Sequence, residues 1–189
     1  MDTNAYSSPA CYAHEFAPGH DRKPPMAVEE TVRLLNTLLE AERAGARVLA
    51  AFLGEYERDT PAWRQIAAVQ RDEARNCAVL MGLIERLSGT PSAATGDFLE
   101  KALAVDGRIA KLRFLNRGQQ WVARKIHEAL PRLEQDFVCG ALFAMHESHL
   151  LNVELCDALV EALEEEHELE MASRLKKAAQ IAFHHMGED

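Results

Sequence analysis

The sequence predicts an all-α fold: an up-down bundle of four long helices with an extra carboxy-terminal helix and an extended amino-terminal segment. Apolar residues recur every three to four positions over four long stretches that begin near Met26. No stretch alternates with the period of two that marks a half-buried β-strand. The breaks between the stretches are short, and helix-starting or helix-ending signals mark them, among them Thr60-Pro61, Ser88-Gly89, Asp106-Gly107 and Pro131.

The periodicity places the first helix at about residues 27–56 and the second at about 61–88. Thr60 and Pro61 suit the start of the second helix, and Ser88-Gly89 suits its end. A break at residues 90–96 precedes a short helix near about 97–105, and a third long helix covers about 108–129 before Pro131. The fourth long helix covers about 133–162, and the segment after it continues or restarts as a fifth helix. Residues 1–25, rich in Ser, Pro, Gly and Ala, form a predicted extension, and residues 26–189 a single helical domain.

Composition excludes several classes of partner. The chain of 189 residues is 48% hydrophobic, which is enough for one domain with a sizeable core. Its formal charge of −9 argues against binding to nucleic acids or anionic membranes, because both attract basic surfaces. No apolar run approaches the roughly 18 to 20 residues of a membrane span. The four cysteines form no C-x-x-C pair and the amino terminus lacks signal-peptide features, so we expect a reducing cytoplasm.

Each long helix carries polar residues on its apolar face. Glu73, inside the stretch RDEARNC, falls on the same arc as Val69 and Leu80 at about 100° per residue. The other polar residues on apolar arcs are Glu42 in the first helix, Asn116 and Gln119 in the third, and Ser148, His149 and Asn152 in the fourth. Antiparallel packing should therefore bring Glu42, Glu73, Gln119 and His149 together in the core. A buried, ionised carboxylate costs several kcal/mol unless a cation, a hydrogen-bond network or a metal compensates it.

This arrangement resembles the ferritin-like superfamily, whose dimetal sites take Glu from two helices and Glu-x-x-His from the other two. Glu42 corresponds to the Glu of the first helix. The segment Glu73-Ala-Arg-Asn76 corresponds to the first Glu-x-x-His, with Asn in place of His. Gln119 stands where the third helix has Glu, and His149-Leu-Leu-Asn152 where the fourth has Glu-x-x-His. The segments LLNTLLEAERAG, RDEARNC and LNRGQQWV also resemble uncharacterised bacterial ferritin-like domain proteins.

The resemblance implies metal chemistry with a reduced ligand set. Fe or Mn can be held by Glu42, Glu73 and His149 with coordination positions left open. Two carboxylates balance one divalent ion well and two such ions badly, so one ion is expected. The amides expected to surround the ion, where they can orient its ligands or hold a cofactor or small substrate, are Asn76, Gln119 and Asn152. The expected activity is that of an oxidoreductase that activates dioxygen or a peroxide.

Metal-free alternatives stay open. A buried Arg, the amides of Gln119 and Asn152, and shared protonation can satisfy the two inward carboxyl groups. The bundle is then a small-molecule binding protein, an enzyme without a metal, or an interaction protein with a polar core. A homodimer is a further expectation, because ferritin-like bundles often pair.

A second group of candidate ligands lies in the stretch SSPACYAHEFAPGH, which contains Cys11, His14, Glu15 and His20. A complete zinc site normally needs four protein ligands and a closed local fold, so a disordered tail is the simpler expectation here. His184 and His185 lie beside a terminus where the helix is expected to fray, and no ligand role is expected for them.

Overall fold

Five α-helices form the described part of the protein, residues 24–185 of a computed structural model. They are α1 (Val28–Leu53), α2 (Pro61–Arg86), α3 (Phe98–Leu103), α4 (Arg108–Ala129) and α5 (Asp136–His185), with a 3-10 turn at Leu130–Arg132. Residues 24–185 contain no β-strand, and the predicted all-α bundle is confirmed. The candidate ligands Cys11, His14, Glu15 and His20 lie outside the described residues, and the boundary near residue 26 stays a prediction.

Local backbone and side-chain hydrogen bonds explain where α2 begins and ends. The hydroxyl of Thr60 accepts a hydrogen bond from the backbone N–H of Trp63 at 3.2 Å, so Thr60 caps the start of α2 as predicted. At its other end, Ser88 has a positive φ of 61°, and the N–H of Gly89 donates to the carbonyl of Ile84 at 2.9 Å. The carboxy-terminal segment is helical as expected and continues α5 without a break, which makes α5 50 residues long.

The helices pack as two hairpins, α1 with α2 and α4 with α5, and the hairpins meet through α1 against α4 and α2 against α5. Two apolar clusters fill the interior. The first cluster contains Leu35, Leu38, Leu39, Leu80, Leu83, Ile84, Val122, Ile126, Val138, Leu142 and Met145. The second contains Val48, Leu49, Phe52, Ile66, Val69, Ala102, Leu112, Leu115, Cys156, Leu159 and Val160. Following the chain, α1 and α5 run from the first cluster to the second, whereas α2 and α4 run the opposite way.

All four long helices cross the space between the two clusters with polar residues. We call these buried residues the central polar layer: Glu42, Glu73, Asn76, Gln119, His149 and Asn152. Apolar side chains therefore separate the layer from solvent at both ends of the bundle. The polar groups lie at one level because each long helix carries its inward polar residues between the segments that enter the two clusters.

The segment that connects α2 to α3 lies along α1. Arg43 donates to the carbonyl oxygens of Ser92 at 2.9 Å and Ala94 at 2.7 Å. Asn36 bonds the same segment, because its Nδ2 donates to Thr90 O at 3.1 Å and its Oδ1 accepts from the N–H of Ser92 at 2.6 Å. These bonds fix residues 90–96 against the outer side of α1.

The end of α5 projects beyond the bundle, since residues 165–178 are all exposed. Its exposed apolar residues include Leu169 and Leu175. No helix within residues 24–185 is both long enough and apolar enough to cross a membrane.

Removing the exposed end of α5 should leave the bundle intact. A chain that ends after Glu166 should keep the same free energy of unfolding, because residues 167–178 are all exposed and bury little apolar surface. In contrast, Leu159→Ala should cost about 2–4 kcal/mol, since Leu159 packs in the second cluster with 7% of its surface exposed. Denaturant unfolding of the three proteins tests this. A truncation as costly as Leu159→Ala would contradict it.

Candidate functional site

His149 lies at the centre of the polar layer with none of its surface exposed. Its Nε2 atom is 2.7 Å from Oε1 of Glu42. Its Nδ1 atom is 2.6 Å from Oε1 of Gln119. Both ring nitrogens are therefore engaged by residues from two other helices, α1 and α4.

Hydrogen bonds join the carboxyl groups to this centre. Nδ2 of Asn76 donates to Oε2 of Glu42 at 2.9 Å, and Nε2 of Gln119 donates to Oε1 of Glu73. Glu42 and Glu73 also hydrogen-bond to each other. The structure thus brings together Glu42, Glu73, Gln119 and His149, as the apolar arcs predicted, and adds Asn76 to the same network.

The network determines which nitrogen of His149 carries the proton. The Gln119 amide donates to Glu73 through Nε2, so its Oε1 faces His149 as an acceptor. Nδ1 of the imidazole must then be the N–H donor. In a neutral ring, Nε2 is left with a lone pair that faces Glu42 Oε1, so a proton on Glu42 completes the contact.

Burial favours the neutral form of all three ionisable groups. Desolvation raises the pKa of Glu42 to about 7, although its hydrogen bond from Asn76 opposes the rise. Desolvation, and next the neighbouring Glu42, raise the pKa of Glu73 well above its ordinary value. Desolvation also lowers the pKa of His149. The metal-free layer is therefore held together by protons shared between neutral groups.

No cationic side chain offsets these carboxyl groups, because the buried residues of the described part include neither Lys nor Arg. Arg43 follows Glu42 directly in the sequence, but its guanidinium binds the carbonyls of the 90–96 segment instead. The sequence left open a buried Arg as the partner of the two Glu residues. The structure removes that alternative for residues 24–185.

Gly45 makes room for Glu73. A Cβ atom at Gly45 would lie 2.5 Å from Oε2 of Glu73 and 2.9 Å from its Cδ. Gly45 lies one helical turn after Glu42, so α1 contributes both a carboxyl group and the gap beside it. Sequence reasoning missed this residue, although a glycine inside a helix often indicates a close packing contact.

The side-chain amides of Asn152 and Asn116 differ in their hydrogen bonding. Asn152 is buried one turn after His149, and its Nδ2 has no hydrogen-bond partner within the described part of the chain. Nδ2 of Asn116 donates to Oδ1 of Asp157 at 2.6 Å, so Asn116 belongs to a separate contact between α4 and α5. Asn152 is the one that leaves a buried donor available near the layer.

The cysteines next to the layer remain thiols. Burial, and next the nearby carboxyl groups, raise the pKa of Cys77 to about 11 and that of Cys156 to about 12. A thiolate is the form that binds metals, so neither residue is favoured as a ligand.

A cavity of about 460 Å³ opens beside the layer, between α1 and α4. Its lining comprises Thr37, Glu40, Ala41, Ala44, Gly45, Glu73, Thr95, Gly96, Asp97, Phe98, Phe114, Leu115, Arg117, Gly118, Gln119, Trp121 and Val122. Glu73 and Gln119 belong to both the layer and the cavity, so the cavity gives access to the network. Glu40 lines the cavity too, and its carboxyl group accepts a hydrogen bond from the hydroxyl of Ser92.

Comparison with known proteins places the chain in a family. Residues 29–160 match the family described as Domain of unknown function (DUF6306). The chain belongs to this family. The match spans all four long helices as far as Val160, and hence every residue of the central polar layer. No curated protein matches the chain.

Solved structures show that this DUF6306 chain has a ferritin-like fold. One is a dodecameric thioferritin, the bacterioferritin-related protein from Bacteroides fragilis, with a TM-score of 0.63, 11% identity, and coverage of 76% of this chain and 91% of that one. The other is a protein from Anabaena variabilis with DJ-1/ThiJ/PfpI-like and ferritin-like domains, with a TM-score of 0.59 and 16% identity. That match covers 75% of this chain but only 39% of the two-domain protein.

The described residues contain no group of three or more His, Cys, Asp or Glu side chains already arranged to hold a metal ion. Glu42, Glu73 and His149 lie in one network, but their atoms are directed at one another and at amides. Their assignment as metal ligands stays a prediction. The donor chemistry fits one ion, provided that the ion takes the place of the shared protons.

Gly45→Ala should disturb the layer. The added methyl group must displace the Glu73 carboxyl group and weaken its bond to Gln119, at a cost of about 1–3 kcal/mol. Gly82→Ala, in α2, is the matched control, because nothing lies within 4 Å of its added Cβ. It should stabilise the protein by about 0.5–1 kcal/mol. Urea unfolding compares the two, and equal effects would contradict the close approach at Gly45.

The pH dependence of stability should reveal the buried proton of Glu42. In metal-free protein the folded state holds this proton up to about pH 7, whereas the unfolded chain releases it near 4.5. The unfolding free energy should therefore fall by about 3 kcal/mol as pH rises through that window. His149 acts oppositely, since its lowered pKa removes stability as pH falls below 6.5.

The difference in unfolding free energy between wild type and Glu42→Gln reports the Glu42 carboxyl group together with its effect on Glu73, because His149 and Glu73 are present in both proteins. This difference should decrease between about pH 4.5 and 7 in chelator-treated protein. A difference that does not change with pH would show that Glu42 is not protonated in the folded state.

Proposed function

We propose that the central polar layer binds one divalent ion of iron or manganese through Glu42, Glu73 and His149, and that the protein is a metal-dependent oxidoreductase. One observation carries the proposal. The imidazole lone pair at Nε2 meets Glu42 Oε1 at 2.7 Å, beside a second buried carboxyl group and without a buried Lys or Arg in the described chain. Something positively charged, either a proton or a metal ion, has to lie there.

The state of His149 supports a metal. A histidine that binds a metal usually donates its other ring N–H to a carbonyl or carboxylate, which holds the ring in place. Nδ1–H of His149 donates to the Gln119 side-chain carbonyl in this way, and Nε2 faces the carboxyl groups. Nitrogen and oxygen ligands with open positions suit Fe(II) and Mn(II).

The charges favour one ion over two. Glu42 and Glu73, once ionised, neutralise the charge of one divalent ion. The amides of Asn76 and Gln119 direct N–H groups at the carboxyl oxygens, so they position these oxygens and add no negative charge. Metal binding must displace the shared protons, and affinity should therefore rise with pH.

In this proposal, the metal ion and the residues around it have different roles. A bound ion supplies Lewis-acid and one-electron redox chemistry toward dioxygen or a peroxide. Gln119 positions both His149 and Glu73, and Asn76 positions Glu42. The two apolar clusters keep bulk water away from both ends of the layer. The likeness to a thioferritin supports this assignment through the fold.

Elemental analysis tests the site. Wild type loaded anaerobically with Fe(II), or with Mn(II), should retain about one ion per chain after loosely bound metal is removed, in line with the two-carboxylate charge balance. His149→Ala should lose this ion because the imidazole ligand is gone. His167→Ala is the control, since His167 is an exposed histidine on the same helix.

Equal metal content in wild type and His149→Ala would reject the assignment. So would the absence of retained metal from wild type after both loadings. The layer would then be a proton-linked polar core.

A further inference from the structure

We infer that the cavity beside the polar layer is a binding site for a small molecule that has an apolar body about the size of an aromatic ring and a protonated amine head. This inference goes beyond the metal proposal and does not depend on it. It assigns a ligand class to the cavity, whereas the metal proposal concerns the layer behind it.

The size and walls of the cavity fit an apolar body. Its volume of about 460 Å³ lies in the usual range for small-molecule sites. The wall on α1 is formed by the small residues Ala41 and Ala44. The opposite wall carries the rings of Phe98, Phe114 and Trp121. Such walls bury apolar surface without competing for hydrogen bonds.

The aromatic wall depends on a second close contact. The Phe98 and Phe114 rings stack with centroids 5.0 Å apart. A Cβ atom at Gly118 would lie 2.9 Å from Cζ of Phe98, so glycine allows this ring to approach α4. The 90–96 segment, fixed by Arg43, leads directly into this wall. The cavity is therefore formed by specific contacts of α1, α4 and the connecting segment.

The polar groups inside the cavity are mainly acceptors. The Thr37 hydroxyl donates its hydrogen to the carbonyl of Arg33 at 3.0 Å. Both polar atoms of the Gln119 side chain are engaged by His149 and Glu73. The carboxyl groups of Glu40 and Glu73 are further polar groups of the lining, and their carbonyl or carboxylate oxygens accept hydrogen bonds. A matching ligand head must donate hydrogen bonds.

The charges of the lining favour a cation over a neutral donor. The half-buried carboxyl group of Glu40 supplies negative charge to the lining, whereas burial favours the neutral form of Glu73. The cationic residue of the lining, Arg117, is exposed and lies over the Phe114 ring, with its Cζ atom 5.3 Å from the centroid. Asp97, also exposed, pairs with Lys101 at 2.8 Å. An ammonium group inside the cavity would be attracted to the carboxyl group of Glu40, whereas an anionic head group would be repelled by it.

Three matched probes test the head group: phenethylamine, phenethyl alcohol and hydrocinnamate, which are cationic, neutral and anionic on similar bodies. The chain has two tryptophans, so Trp63→Phe leaves Trp121 as the fluorescent reporter in the cavity wall. Titrations use chelator-treated, full-length protein, with calorimetry as a second readout. Phenethylamine should bind at least about tenfold more tightly than the alcohol, and hydrocinnamate more weakly than either.

Two leucine variants test the location. Ala41→Leu fills the cavity from α1 and should weaken phenethylamine binding at least about tenfold. Ala50→Leu is the control, because it makes the same change at an exposed position of the same helix. Glu40→Gln should reduce the preference for amine over alcohol while leaving the cavity open, and it covers the case in which Ala41→Leu fails to fold.

Equal affinity for the three probes, or no binding of phenethylamine, would overturn the inference. So would equal phenethylamine binding by Ala41→Leu and wild type. Because these titrations are done without metal, their outcome does not depend on the metal analysis: amine binding with no retained metal would sustain the cavity assignment and reject only the metal site.

Discussion

Two buried carboxyl groups without a buried cationic side chain are the constraint on which the interior depends. Glu42 and Glu73 lie in a layer enclosed by apolar clusters, where an ionised carboxylate is costly. The layer meets this cost with His149 and with two amides that fit the carboxyl oxygens. Either shared protons or a metal ion can supply the positive charge that the two carboxyl groups still need. Burial of this layer thus accounts for the raised pKa of Glu42, and the carboxyl groups and imidazole that it encloses form the proposed metal site.

Much of the fold follows from periodicity alone. Four long apolar stripes predicted four long helices. The Thr60-Pro61 pair predicted the start of α2, which begins at Pro61 in the structure. The polar interruptions of the stripes predicted which residues meet in the core. This worked because the angle around a helix is fixed by sequence position, so that the polar residues on the apolar stripes all point into the bundle.

Other features depend on contacts that a helical arc does not encode. Gly45 matters because of the distance between its backbone and Glu73, which is set by how closely α1 and α2 pack. Glu40 joins the cavity because the 90–96 segment returns over α1, held by Arg43 through bonds between residues about fifty positions apart. The burial of α5 beyond Val160 likewise depends on tertiary contacts. The hydrogen-bond partner of each of these side chains, and its depth in the protein, therefore had to come from the structure.

The ferritin-like fold of this chain does not by itself determine its chemistry. Identities of 11% and 16% to solved structures establish the fold, while function resides in the site that the fold presents. Here that site combines a reduced set of ionisable residues with an adjoining cavity, which share Glu73 and Gln119. A molecule in the cavity would thus contact Gln119, which bonds His149, and Glu73, which accepts a hydrogen bond from Gln119.

Nitrogen NMR of isotope-labelled histidine in the metal-free protein tests the central claim most directly. The account predicts that at neutral pH the His149 ring is neutral, with the proton on Nδ1 and a lone pair on Nε2, because Gln119 Oε1 accepts from Nδ1 and burial disfavours the imidazolium ion. Variant His149→Ala identifies the signal. A ring protonated on both nitrogens, or protonated on Nε2 alone, would contradict the account.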